Sequence, residues 1–220
     1  MIPQHILQAL WFRGIQFCVG VGLIATGIAT VTHANLGTTP ISTLPFTLTF
    51  ITSLSFAETT FWVNALFILG QILLLRKNFP LANFLQIPII FFFSIIIQAT
   101  MNFWDIFSFD GYLEKLIISI LGNCLMAIGI VIQIRSRTIV APVDGLILAV
   151  CQVFGQTFGR MKIANDVSLV VIASIVGLIF LGSPVGVREG TILSALMVGY
   201  LIQLIDRHFP ARMPIHSSSK

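Results

Sequence analysis

Charge is what this chain has least of. Only 9% of its 220 residues are Asp, Glu, Lys or Arg, against about 25% in an average soluble domain. That shortage excludes a water-soluble globular fold. Its Lys and Arg stand singly between apolar runs, so the net charge of +4 is no nucleic-acid footprint, and no nucleic-acid partner is expected. Cysteine is also sparse. Cys18, Cys124 and Cys151 lie inside apolar runs with no CxxC and no paired His, which supports neither a zinc site nor a disulfide framework. No HExxH, GxSxG, Walker A or GxGxxG sequence occurs. Nothing specifies a nucleophile, a metal or a cofactor, and an enzyme is not expected.

What the chain has instead is apolar length. It is 56% hydrophobic, with a mean hydropathy of +0.99, and 220 residues hold about six spans of roughly 20 residues. The expectation is a single all-α integral membrane domain over 1–220, with spans at 12–32, 60–75, 81–102, 112–134, 167–181 and 191–205. No cleavage signature follows the first apolar run, which reads as a retained helix. The tail 208–220, with two prolines and three serines, reads as loose.

The chain also repeats itself. A shift of 102 residues lays Gly20 on Gly122, Ala25 on Ala127, Gly27 on Gly129, Pro40 on Pro142, Leu44 on Leu146 and Phe56 on Phe158 without a gap. Repeat one spans 13–102 and repeat two 115–207. Each has three spans and one Pro-marked short segment, 40–56 and 142–158. If the short segments cross, there are eight spans; if they dip and return, there are six. With six spans and a cytoplasmic N-terminus, ten of the twelve Lys and Arg lie inside, only Lys115 and Arg188 outside. The positive-inside rule therefore favours six, with both termini cytoplasmic. Three crossings per repeat give the repeats opposite orientation, a plan that resembles alternating-access transporters. The two tips are expected to meet around an internal cavity.

Asn35-Leu36-Gly37-Thr38-Thr39-Pro40 and Pro142-Val143-Asp144-Gly145-Leu146, with Gly182-Ser183-Pro184-Val185-Gly186 and Gly190-Thr191, carry a resemblance to a known family. They are similar to the duplicated N-L-G-x-x-P-x-D signature and the G-G-x-x-G-x-G-T region of the bacterial YczE/YyaS/YitT-like membrane proteins. Ser42 stands where the first signature has Asp, Arg137-Thr138-Ile139 replaces its Asn-Leu-Gly in the second copy, and Arg188-Glu189 looks inserted. The resemblance implies a multi-pass protein of the bacterial inner membrane and no particular activity.

Asp144 is the first candidate site residue. It follows Pro142 by two and precedes Gly145 at the start of a short apolar segment, either capping backbone N–H groups or contacting a proton, ion or substrate. Its repeat mate is Ser42, neutral and equally able to cap. Asp166 is second, with Asn64 as its neutral mate. A charged set in one repeat and a neutral set in the other would make one cavity asymmetric. Arg137 is either a membrane-surface anchor or a partner for these acids or for an anionic substrate. Pro40, Pro142 and Gly145 are the structural markers.

The function expected is a small secondary transporter or channel-like permease for a small polar or ionic solute, with proton coupling through Asp144 or Asp166 in view. The alternative is a substrate-binding membrane subunit or accessory protein that needs a partner such as an ATPase module. The partners expected are the lipid bilayer and a small-molecule or ion substrate, with a homo-oligomer or accessory membrane partner allowed.

Overall fold

The computed structural model describes residues 4–107, 111–136, 138–156 and 158–208. The expected tail beyond His208 and the candidate Arg137 lie outside the described residues. Helices make up most of the described residues: α1 Gln4–His33, a 3-10 turn Pro40–Ser42 leading into α2 Thr43–Thr49, then α3 Phe56–Leu75. Two further 3-10 turns, Arg76–Asn78 and Leu81–Leu85, precede α4 Gln86–Trp104. The second half runs α5 Tyr112–Ser136, α6 Pro142–Phe154, α7 Phe158–Leu181 and α8 Glu189–His208. No strand occurs among the described residues.

Among the described residues, five stretches are helical, long and apolar enough to cross a membrane: Trp11–His33, Phe56–Asn78, Leu81–Trp104, Tyr112–Ser136 and Arg160–Leu181. The sixth span expected, 191–205, lies in α8, whose apolar part runs only Glu189–Ile202. Several helices start earlier than hydropathy suggests. Ser55 caps α3 and closes a capping box with Glu58, so the helix begins at Phe56. Polar residues of α7, from Arg160 to Asp166, are helical too, with Lys162 and Asp166 paired one turn apart. α4 starts later, at Gln86, because Pro88 removes the backbone donor that would bond into the preceding turn.

The short segments are too short to span. Seven residues of α2 cover about 10 Å and thirteen of α6 about 20 Å, against a hydrocarbon core of about 30 Å. Each packs against α3 and α7. The long helices α4, α1, α5 and α8 form a second row, in that order. An apolar core joins the two rows: Ala25, Ile28 and Ala29 of α1, Phe56 and Ala57 of α3, Ile97 of α4, Met126 and Ala127 of α5, and Val198 of α8.

Glycine sets the spacing of the central pair, α1 and α5. A Cβ on Gly20 would lie 2.9 Å from the Gly129 carbonyl oxygen, and one on Gly27 would lie 2.6 Å from that of Gly122. The backbones therefore touch, as small residues allow in membranes. Residue numbers rise along one helix as they fall along the other, so the pair is antiparallel. The 102-residue shift converts the Gly20–Gly129 contact into the Gly122–Gly27 contact. It also converts α1 on α4 into α5 on α8, and α2 on α7 into α6 on α3; all of these contacts are present.

Candidate functional site

The two Pro-led tips are built at opposite ends of this antiparallel pair. At the end where α1 finishes, the loop carrying Asn35 to Pro40 is knitted to the loop carrying Gly182 to Thr191. Thr38 N–H donates to the Gly186 carbonyl (3.1 Å) and Gly190 N–H to the Leu36 carbonyl (2.8 Å). Arg188 Nη1 donates to the Asn35 carbonyl at 3.0 Å, and Thr47 Oγ1 to the Val185 carbonyl at 2.9 Å. Gly37 is at φ 117°, a conformation side chains rarely adopt, and a Cβ there would come 2.7 Å from Thr191 Oγ1. The two Gly/Pro motifs of the sequence are thus halves of one structure. They enclose a cavity of about 390 Å³ lined by Asn35, Phe46, Phe50, Ser183, Gly186 and Arg188.

The wall of this end is rich in hydroxyls that satisfy themselves. Thr30 and Thr43 donate to carbonyls four and three residues back, which lets them be buried without water. Ser42 is buried and accepts from Thr39 Oγ1 at 3.0 Å. It makes no side-chain cap for α2. Trp104 Nε1 donates to Thr30 Oγ1 at 2.9 Å, and His33 stacks on Trp104 with Nδ1 3.7 Å from Asp105.

At the other end, Pro142 is the first residue of α6, as its fixed φ favours. Asp144 does not cap this helix: its N-cap is Ala141, with no side-chain bond. Its carboxylate instead meets Lys162 Nζ at 3.2 Å, and Asp166 meets the same ammonium at 3.6 Å. All three side chains are about one-third exposed, at 34%, 33% and 31%. This is a charged trio of net charge −1. The expected approach of Asp144 to Ser42 is replaced by the pairing with Lys162, because the two tips are held at opposite ends of the α3–α7 cleft.

The 102-residue shift lays the trio on Ser42, Thr60 and Asn64, all neutral. Asn64 donates to the Thr60 carbonyl at 2.8 Å, and the buried Thr60 hydroxyl has no partner among the described residues. The structure thus brings Asp144 and Asp166 together around Lys162. It leaves Ser42 and Asn64 with partners of their own.

Sequence reasoning does not assemble the amide cluster that lies beneath α6. Gln71 Nε2 donates to the Pro142 carbonyl at 2.9 Å and to Gln86 Oε1 at 3.0 Å, while Asn83 donates to Gln71 Oε1 at 3.3 Å. Gln71 and Gln86 are fully buried. Gly145 lies against this cluster, since a Cβ there would be 2.6 Å from Gln71 Oε1. Gln71 lies inside the expected span 60–75 and Asn83 and Gln86 inside 81–102, so amides within apolar runs were the available signal. Replacing Gln71 by Leu takes from the buried Gln86 and from Asn83 the amide they share and is expected to cost about 1–3 kcal/mol. Thermal unfolding in detergent measures it, with Gln71→Glu and Gln71→Asn as partial replacements.

No group of three or more His, Cys, Asp or Glu able to hold a metal occurs among the described residues. Fold and site together define an all-α, multi-pass membrane protein with two half-length helices and polar clusters at both ends. Residues 11–207 match a family of unknown function, DUF6198, and the chain belongs to that family. No match was found to a curated protein or to a solved structure.

Proposed function

We propose that the protein is a small secondary transporter for a small polar or ionic solute, built from two inverted repeats that exchange roles between two conformations. One observation carries this reading: the contacts of α1 with α5 map onto themselves when the repeats are exchanged, and the two helices are antiparallel. A two-fold that swaps antiparallel membrane helices lies in the membrane plane, as in inverted-repeat transporters. The half-helices between α3 and α7 then offer solute access from opposite sides, one neutral and one charged. Asp144, Lys162 and Asp166 form the charged gate, and Asp144 or Asp166 is the group to test for proton coupling. Arg188 and the cavity beside it form the opposite vestibule.

The proposal includes residence in the bacterial inner membrane with both termini in the cytoplasm, and the relation to the YczE/YyaS/YitT-like proteins. Single cysteines at Lys77 and Leu113 test the orientation. A membrane-impermeant maleimide is expected to label Lys77→Cys only from the cytoplasmic side and Leu113→Cys only from outside. The reverse pattern, or labelling of both from one side, overturns the assignment.

Transport itself is tested in proteoliposomes with radiolabelled carboxylates, amino acids, phosphate and amines, with and without an imposed proton gradient. Saturable uptake that Asp144→Asn abolishes is the result expected. Uptake only after addition of a cytosolic ATPase would favour an accessory subunit instead.

A further inference from the structure

We propose that the groove between α3 and α4 binds a phospholipid through its primary ammonium headgroup. The groove has a volume of about 520 Å³ and is lined by Glu58, Phe61, Trp62, Phe91, Ser94 and Gln98. This site is separate from both tips and does not rest on the transport reading.

Three features point to the ligand. Glu58 stands in the first turn of α3 and is the one charge of the lining. The Ser55 N–H and O–H both donate to its Oε2, at 2.7 and 2.9 Å, which fixes the carboxylate at the groove's mouth. Next to it runs an edge-to-face series of rings, Trp62 on Phe61 at 5.6 Å and Phe61 on Phe91 at 6.5 Å. A cation is attracted to such faces as well as to the carboxylate. Ser94 supplies the third feature. It is 8% exposed, lines the groove, and its hydroxyl has no hydrogen-bond partner among the described residues. A buried hydroxyl left unpaired is costly, and the phosphate or ester oxygens next to an ammonium headgroup would accept from it.

The surroundings favour a lipid as the source of that ammonium. Leu66 and Leu69 of α3 and Ile87 and Ile95 of α4 are exposed along the same helices, which is a face for acyl chains. Trp62, 59% exposed, is of the type that sits at headgroup level. A second copy of this chain fits poorly, because the lining has no Lys or Arg and an isologous contact would set Glu58 against its own copy.

Thermal unfolding of the full-length protein in dodecyl maltoside, with added phosphatidylethanolamine or phosphatidylglycerol, tests the assignment. Phosphatidylethanolamine is expected to raise the midpoint by about 5 °C more than phosphatidylglycerol. Glu58→Gln, which can still close the capping box, is expected to remove that difference, and Ser94→Ala to reduce it. Native mass spectrometry reads the retained lipid directly, and it remains informative if a variant unfolds early. Equal shifts from the two lipids, or an undiminished preference in Glu58→Gln, overturn the proposal. A shift from dodecylamine with none from phosphatidylethanolamine would assign the groove to a soluble amine and overturn it equally.

Discussion

Gly27→Val is expected to melt far below the unsubstituted protein. Its Cβ would sit 2.6 Å from the Gly122 carbonyl oxygen and 2.7 Å from the Met126 nitrogen, both backbone atoms. No side-chain rotation relieves that clash; α1 and α5 must separate. Overpacking costs about 1–3 kcal/mol in ordinary cores, and separation of the central pair puts this site at the upper end. A fall in the thermal midpoint on the order of 10 °C follows, read by fluorescence-detected gel filtration after heating. Gly122→Val is expected to behave alike, since the repeats present the same contact from either side. Gly14→Ala and Gly199→Ala, with no heavy atom near the added carbon, serve as neutral controls. If Gly27→Val and Gly14→Ala melt together, the backbone contact between α1 and α5 does not exist.

Lys162→Met is expected to bring solute uptake down to the level of protein-free liposomes while leaving the protein folded. The ammonium is the shared counter-ion of Asp144 and Asp166. Its side chain and theirs are about one-third exposed, so water screens the pairs and each is worth only about 1 kcal/mol of stability. The functional loss should far exceed the structural one, because removing Lys162 leaves two carboxylates to repel each other at the gate. Lys162→Arg is expected to retain part of the activity. Lys162→Met with Asp166→Asn restores a lone carboxylate and should recover stability before flux. A Lys162→Met protein with undiminished uptake would assign the trio to surface anchoring.

Much of the fold is legible in the sequence because a membrane imposes simple rules. Apolar runs broken by Arg76-Lys77-Asn78 and by Gly182-Ser183-Pro184 mark the long helices, and Pro40 and Pro142 mark the two short ones. The shift of 102 residues carries directly into packing, with Gly20, Gly27, Gly122 and Gly129 forming one seam. Helix starts are less legible, since hydropathy misses a polar first turn such as Arg160 to Asp166. The site is legible in its members but not in its contacts. Asp144 and Asp166 stand out, yet Lys162, eighteen residues after Asp144, resembles a surface anchor until helices α6 and α7 are packed. The motifs at Asn35 and Arg188 are separated by 153 residues, and no local pattern says they join. Gln86 and Asn83 are hidden because they stand at the start of an apolar run, and only the packing of α4 on α3 brings them to Gln71.

Exchange of the repeats between two arrangements is measured most directly by distances at both ends at once. Leu54 and Leu113 are the repeat equivalents of Gln156 and Trp11, and all four are exposed. Spin labels at Leu54 with Leu113 report one end of the molecule, and labels at Gln156 with Trp11 report the other. In nanodiscs, double electron–electron resonance is expected to show two distances for each pair. Lys162→Met, by disturbing the charged gate, should lengthen one pair in the same proportion as it shortens the other. A single narrow distance at each end, unchanged by Lys162→Met, would contradict alternating access.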